Sequence, residues 1–288
     1  MNKADIQKKY TIGVDIGGTN MRAVLFDGEK VIADYELATP KDNLEHFLIM
    51  LKALVEPLIE RAEADQAKIK GIGLGVAGVI NQKDRRVVKS PNLPIIDDSK
   101  LAFLLESKIK IPAMIDNDAN CFVRAEGTLG AGKKAKNVYG AVIGTGIGGG
   151  WWHEGKVYAG WHGGAGEPGH MIIDYKEGIT LEEAYHKLTQ GNPAQLAEEA
   201  YRGDTLAEKV FSEIGHDLGV AFANIVNILD PEIIVIGGGV VESSDLFLKQ
   251  AKKTMAKYVF SPEAKKIKIV KSELGNLSGA IGAALLVA

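Results

Sequence analysis

Apolar residues dominate positions 10–14, and a second apolar run covers 23–26. Between them lie Asp15, Gly17, Gly18, Thr19 and Asn20. That pattern predicts strand, tight turn, strand. Residues 30–37 alternate apolar and polar after an Asp27-Gly28 turn, which predicts a third strand. Residues 44–64 carry apolar positions at helical spacing, with Asp42 or Asn43 placed to cap the helix. Farther on, 69–80 reads as a glycine-studded strand and loop, 90–94 as a loop, 98–109 as a short helix and 111–115 as a strand. A helix is expected over 119–129, a strand over 138–143, and an irregular glycine-rich segment over 151–179. Helices are expected over 181–188 and 194–200. The long apolar stretch 205–229 reads as a buried helix. Residues 233–236 and 267–270 predict strands, 246–258 an amphipathic helix, and 279–287 a closing helix of small residues.

The pattern repeats weakly. Residues 10–31 read strand, Gly-Gly-Thr turn, strand, Asp-Gly turn, strand. Residues 139–157 read strand, Gly-Thr-Gly-Ile-Gly turn, strand through Trp151-Trp152, Glu154-Gly155 turn, strand. Each copy is followed by alternating helices and strands, so two similar α/β lobes are expected. Two glycine turns facing each other would clamp the ends of a triphosphate.

At 288 residues, with 46% apolar residues, the chain is long enough for two lobes with sizeable cores. The net charge of −3 argues against a basic nucleic-acid footprint; Lys8-Lys9 and Lys133-Lys134-Ala-Lys136 read as solvated surface. A single cysteine, Cys121, excludes an intramolecular disulfide, fits a reducing cytoplasm and reads as a packed core thiol. No apolar signal core stands at the N-terminus, and no apolar run is long enough to cross a membrane.

Three glycine turns follow apolar strands: Gly17-Gly18-Thr19, Gly144-Thr145-Gly146 and Gly237-Gly238-Gly239. Backbone N–H groups exposed at such turns suit phosphate, and an acid such as Asp15 beside them suits Mg²⁺. None matches the Gly-Lys-Ser/Thr phosphate loop or a dinucleotide fingerprint. Asn117-Asp118 falls at a strand-to-helix corner, where open α/β sheets bind ligands; helix capping is the plainer use of either residue. In Gly166-Glu-Pro-Gly-His170, the carboxylate of Glu167 and the imidazole of His170 suit vicinal hydroxyls. His153, His162 and His170 match no metal spacing, which argues against zinc.

Together these residues resemble the ROK (repressor, ORF, kinase) sugar kinases. Asp15-Ile-Gly-Gly-Thr-Asn20, Asn117-Asp-Ala-Asn120, Gly144-Thr-Gly-Ile-Gly-Gly149, Gly166-Glu-Pro-Gly-His170 and Leu229-Asp-Pro-Glu-Ile-Ile-Val-Ile-Gly-Gly-Gly239 occur in the family's order, over almost the whole chain. The nearest resemblance is to bacterial-type ATP-dependent glucokinases. It implies the actin-like ATPase (ribonuclease H-like) α/β fold, with two lobes around a central cleft: 1–118 with 276–288, and 119–275.

The resemblance also implies roles. Asp118 matches the catalytic base. Asn92, Asn117, Asp118, Glu167 and His170 match sugar-binding positions. Asp15 matches the acid that acts through Mg²⁺. Gly17, Gly18, Thr19 and Asn20 match one phosphate turn and Gly144, Thr145 and Gly146 the other, while Gly238 and Gly239 sit where adenosine is held. Many members follow the Gly-His with a zinc-binding Cys loop; here 171–185 has no cysteine, so no zinc is expected. Glu183-Ala-Tyr resembles the end of that loop, which makes Glu183 a further sugar-binding carboxylate, with Glu182 the alternative across the gap.

The implied activity is transfer of phosphate from ATP to the C6 hydroxyl of glucose, in a cytoplasmic enzyme of carbohydrate metabolism and glycolysis. The alternatives are a kinase for N-acetylglucosamine, N-acetylmannosamine, mannose or fructose, a non-catalytic sugar-sensing regulator, or a polymerising actin-like ATPase. Only nine residues precede Tyr10, too few for the family's DNA-binding helix-turn-helix. Neither nucleic acid nor membrane is an expected partner; a homodimer is.

Overall fold

The computed structural model describes residues 8–288. The readings that concern the first residues, an absent signal core and too little chain for a helix-turn-helix, fall largely on 1–7 and lie outside the described residues. The elements are β1 (Lys9–Ile16), β2 (Asn20–Phe26), β3 (Val31–Ala38), α1 (Leu44–Ala64), β4 (Lys68–Val76), β5 (Val79–Asn81), β6 (Arg86–Lys89), α2 (Leu101–Ile109), β7 (Ala113–Asn117) and α3 (Asp118–Thr128). They continue with β8 (Asn137–Ile143), β9 (Ile147–His153), β10 (Lys156–Val157), β11 (Ile172–Asp174), β12 (Ile179–Thr180), α4 (Leu181–Thr189), α5 (Pro193–Tyr201), α6 (Thr205–Leu229), β13 (Ile233–Gly237), α7 (Leu248–Tyr258), β14 (Lys268–Lys271) and α8 (Ser278–Leu285).

The chain divides into two compact units. The first holds the chain up to Ala125, Ala159–Gly164 and Leu277–Ala288; the second holds Glu126–Tyr158 and Ala165–Asn276. In the first, a five-stranded sheet runs β3-β2-β1-β4-β7. β1 pairs antiparallel with β2 and parallel with β4; β2–β3 is antiparallel and β4–β7 parallel. The second has a sheet in the order β10-β9-β8-β13-β14. The same senses recur: β8–β9 and β9–β10 antiparallel, β8–β13 and β13–β14 parallel. The weak sequence repeat is therefore a repeat of topology.

Each unit has its own core. Ile12, Val14, Ile72 and Leu74 from the first sheet meet Phe47, Leu51 and Leu58 of α1. Ala141, Ile234 and Ile236 of the second sheet meet Phe211, Leu218 and Phe222 of α6. Each of the Ile, Val, Leu and Phe side chains among them, fully buried, contributes about 1.5–3 kcal/mol relative to exposure. Asn43 caps α1, its Oδ1 accepting from His46 N at 2.9 Å. α8 is built of small residues because it lies against the strands: a Cβ at Gly13 or Gly73 would collide with the carbonyls of Ala280 or Ala283. Among the described residues no helix is long and apolar enough to cross a membrane.

One boundary differs from the sequence reading in a way that matters for the site. The strand expected over 111–115 is β7, which starts at Ala113 and extends to Asn117, because Asp116 and Asn117 pair with Gly75 and Val76 of β4. Asp118 is then the first residue of α3, and Asp116 belongs to the sheet.

Candidate active site

In the first unit the β1–β2 turn is tied down from both sides. Gly17 N donates to Asn20 O at 3.0 Å, and Thr39 donates through Oγ1 to Gly17 O and through N to Thr19 O, each at 2.8 Å. The Asn20 amide donates to Glu36 Oε1 at 2.7 Å, which fixes it along the sheet edge. Gly18 faces Asn92: a Cβ on Gly18 would lie 3.0 Å from the Asn92 Cβ. The loop carrying Asn92 is anchored by buried Ser90, whose N donates to Asp97 Oδ1 at 2.7 Å and whose Oγ donates to Ala77 O at 2.9 Å.

Asp15 and Asp118 share this region. Burial pushes the Asp15 carboxyl up to about 7, the Asp118 charge adds to the shift, and Arg22 opposes it. Burial also raises Asp118, helped by Asp116 and opposed by backbone N–H groups. Asp118 Oδ1 accepts from Ala119 N at 2.9 Å. Two recessed carboxylates, the charge of Asp118 adding to the proton affinity of Asp15, form an oxygen-only donor set, which fits a hydrated hard cation such as Mg²⁺. Asn117 is buried and largely occupied: its Oδ1 accepts from Asn120 N at 3.0 Å, capping α3, and its Nδ2 donates to Gly78 O at 3.0 Å. The capping use of Asn117 is thus real, and one amide hydrogen remains for a ligand.

Sequence reasoning gave Asp116 no role, yet it organises the corner. Its Oδ1 accepts from Asn117 N at 2.8 Å and Asn120 Nδ2 at 3.1 Å, and its Oδ2 pairs with Arg124. The signal available was an arginine eight residues after an acid, a spacing no helix pattern flags.

In the second unit the Gly144-Thr145-Gly146 turn is gripped by α4. Tyr185 Oη donates to Gly144 O and His186 Nε2 to Thr145 O, both at 2.8 Å. Glu182 Oε2 accepts from Ile147 N at 2.7 Å. Gly238 lies beside the same turn with φ 92°; a side chain there would meet both the left-handed strain and the Ile143 carbonyl. Gly144, Thr145, Gly146, Gly238 and Gly239 are thus gathered at the ends of β8 and β13.

Glu167 is half-buried and precedes the short turn Pro168–His170. Its charge adds to the burial that raises Tyr139, whose hydroxyl donates to Gly166 O at 2.8 Å. His170 and Glu183 are exposed, and the His170 charge acts on the Glu183 carboxyl. Glu183 forms a reciprocal cap with Thr180: Glu183 Oε2 accepts from Thr180 N at 2.8 Å, and Thr180 Oγ1 accepts from Glu183 N at 3.3 Å. These bonds hold the Glu183 carboxyl below its usual range, with His170 adding to the effect.

Two five-stranded sheets of one topology, each with a glycine turn after its first strand, define the actin-like ATPase fold. Residues 11–288 match the sequence pattern of the ROK family, and the chain belongs to that family. It is 30% identical to a glucokinase of Halalkalibacterium halodurans, over 97% of this chain and 95% of that one. It is 31% identical to an N-acetylgalactosamine kinase of a Shewanella species, over 95% of each. Among solved structures it resembles a ROK family glucokinase from Streptomyces griseus in complex with glucose and AMPPNP: TM-score 0.80, 25% identity, 96% of this chain and 98% of that one.

Proposed function

We propose that this chain transfers a phosphoryl group from ATP to the C6 hydroxyl of a hexose, with glucose as the preferred substrate. The observation that carries this reading is Asp118. It opens α3 with one carboxylate oxygen engaged by Ala119 N, and burial raises its proton affinity. That suits a general base for a hydroxyl, held at a strand-to-helix corner beside a second recessed acid.

Phosphoryl transfer passes through a loose transition state, so positioning and charge neutralisation supply most of the catalysis. In this reading Asp118 accepts a hydrogen bond from the C6 hydroxyl and takes its proton as the bond to phosphorus forms. Asn92, Glu167, His170 and the remaining Asn117 hydrogen orient the sugar, joined by Glu183. The turns at Gly17-Gly18-Thr19 and Gly144-Thr145-Gly146 offer backbone N–H groups to the phosphates, and Gly238-Gly239 leaves room for adenosine. Asp15 would hold a hydrated Mg²⁺, which would supply neutralisation of the phosphate charge. The kinase relatives and the AMPPNP complex of the Streptomyces griseus protein support ATP as donor.

A second reading, phosphorylation of an N-acetylated hexose, is favoured by the equal likeness to the Shewanella enzyme. ADP release measured with ATP alone and with glucose, mannose, fructose, N-acetylglucosamine, N-acetylmannosamine and N-acetylgalactosamine tests both. Glucose should give the highest kcat/KM. An N-acetylated sugar at the top would favour the second reading, and no sugar-dependent ADP with any of them would reject the kinase.

A further inference from the structure

The lysines of this chain are not spread evenly. Residues 249–271 contain eight lysines and one acid, Glu263, a surplus of seven positive charges in a chain of net −3; the other 265 residues therefore carry −10. The second unit folds part of this segment into a groove of about 440 Å³. Lys252 and Met255 of α7 form one wall, Lys265 to Ile267 close one end, and Lys268, Ile269 and Val270 of β14 form the other wall. Among the described residues Lys266 pairs with Glu263 at 3.3 Å, while Lys252, Lys265 and Lys268 have no ion pair.

β14 is also the edge of its sheet, paired only with β13. Ser272 N donates to Ile236 O, so the alternation of a parallel ladder turns Lys268 and Val270 toward β13. The backbone N–H and C=O groups of Ile269 and Lys271 then face away from it. An open edge next to a helix, with an apolar floor and a cationic rim, matches the demands of one kind of ligand: an extended peptide that adds as a sixth strand.

We propose that the groove between β14 and α7 is a docking site for an acidic, extended segment of a partner protein, one that alternates acidic and apolar residues. Backbone bonds to Ile269 and Lys271 align the segment. Its acidic side chains meet Lys252, Lys265, Lys268 and Lys271, and apolar side chains cover the half-buried Ile267 and Val270. The same lysines disfavour pairing between two copies of the edge, because like charges would face each other. A bare phosphate chain would use the charges and leave the floor and the backbone groups unused.

The test uses the full chain and a capped, fluorescein-labelled peptide of five Glu-Val repeats, followed by fluorescence anisotropy. The comparison probes are the same peptide with every Val replaced by Pro, and inorganic polyphosphate as a competitor. Saturable one-to-one binding of the Glu-Val peptide is expected, with the proline peptide at least about tenfold weaker because it has fewer N–H groups to donate. Lys252→Glu with Lys268→Glu should weaken binding at least about tenfold. Lys271→Pro should weaken it more than Lys271→Gln, since only the former removes an edge donor. All three substituted residues are exposed, so circular dichroism should match the parent. No binding of the Glu-Val peptide overturns the proposal. Equal binding of the proline peptide, or full competition by polyphosphate at matched charge, overturns strand addition.

Discussion

Arg124 and Asp116 form an ion pair at the back of the candidate active-site corner, with side chains 14% and 1% exposed. Asp116 lies in β7 two residues before Asp118, and Arg124 projects from the helix that Asp118 opens. Arg124 Nη1 also reaches the Gly282 carbonyl of α8 at 3.5 Å and Cys121 Sγ at 3.6 Å. One guanidinium thus links strand, helix and closing helix within the first unit, and it supplies positive charge where Asp15, Asp116 and Asp118 gather.

Breaking such a pair costs more than the pair contributes, because a buried charge is left without compensation. Arg124→Met should destabilise the protein by about 3–5 kcal/mol. Arg124→Met combined with Asp116→Asn should be less destabilised than Arg124→Met alone. Urea unfolding of the two single variants and the double variant measures the coupling; additive losses would mean that the contact carries no interaction energy.

Asp118→Asn keeps size and one acceptor oxygen but cannot take a proton. Turnover with glucose should fall on the order of 10²–10⁴-fold, while glucose affinity measured by calorimetry stays within a few-fold. A variant with near-parental kcat would remove Asp118 from the role of base.

The pH dependence of metal-free protein should report Asp15. Its folded-state pKa of about 7 lies above the ordinary 3.8, so between those values the folded state binds more protons than the unfolded one. Stability then falls as pH rises from about 4 through 7. Asp15→Asn removes that penalty. It should raise the thermal midpoint at pH 8 by at least about 2 °C, what roughly 1 kcal/mol gives in a protein of this size, and change it little at pH 5. If Asp15 holds Mg²⁺ as proposed, the ion would compete with that proton, and ATP-dependent turnover of the parent should lose apparent Mg²⁺ affinity as pH falls below 7. Identical pH profiles of midpoint for parent and variant would contradict the raised value.

Much of the fold was legible because its signals are local. The 205–229 helix has its bounds in the sequence because Asp204 caps it, accepting from Leu206 N and Ala207 N, and an apolar face runs unbroken to Leu229. The repeated strand-turn-strand units needed only period-two patterns and glycine turns. What the sequence hid depends on long separations. The grip of α4 on the second glycine turn joins residues 35–41 positions apart. The buried Glu126 carboxylate accepts from Ser272 Oγ at 2.6 Å across 146 positions. Asp116 escaped because its partner Arg124 lies eight residues on, beyond the helical i, i+4 pairs that sequence patterns reveal. The end of β7 was misplaced for a related reason: Asp and Asn are poor strand formers, and tertiary pairing with β4 overrides that preference.

The two glutamates at the start of α4 should separate the two substrates. The Glu182 carboxylate holds the glycine turn through Ile147 N, so Glu182→Ala leaves that N–H unpaired and loosens the turn. The loss of about 1–3 kcal/mol should appear as a roughly tenfold or greater rise in KM for ATP, with KM for glucose little changed. Glu182→Gln, which keeps an acceptor, should restore most of it. Glu183 points the other way, toward Thr180 and the charge of His170. If it also meets a sugar hydroxyl with His170, Glu183→Ala should raise KM for glucose at least about tenfold and leave KM for ATP near the parental value. Thr180→Ala is the decisive control. It breaks the reciprocal helix cap without removing the carboxylate, so it should lower thermal stability and leave both KM values alone. Should Glu183→Ala and Thr180→Ala behave alike in steady-state kinetics, Glu183 is a helix cap only. A rise in glucose KM for Glu182→Ala alone would instead move the sugar contact one residue back, to Glu182.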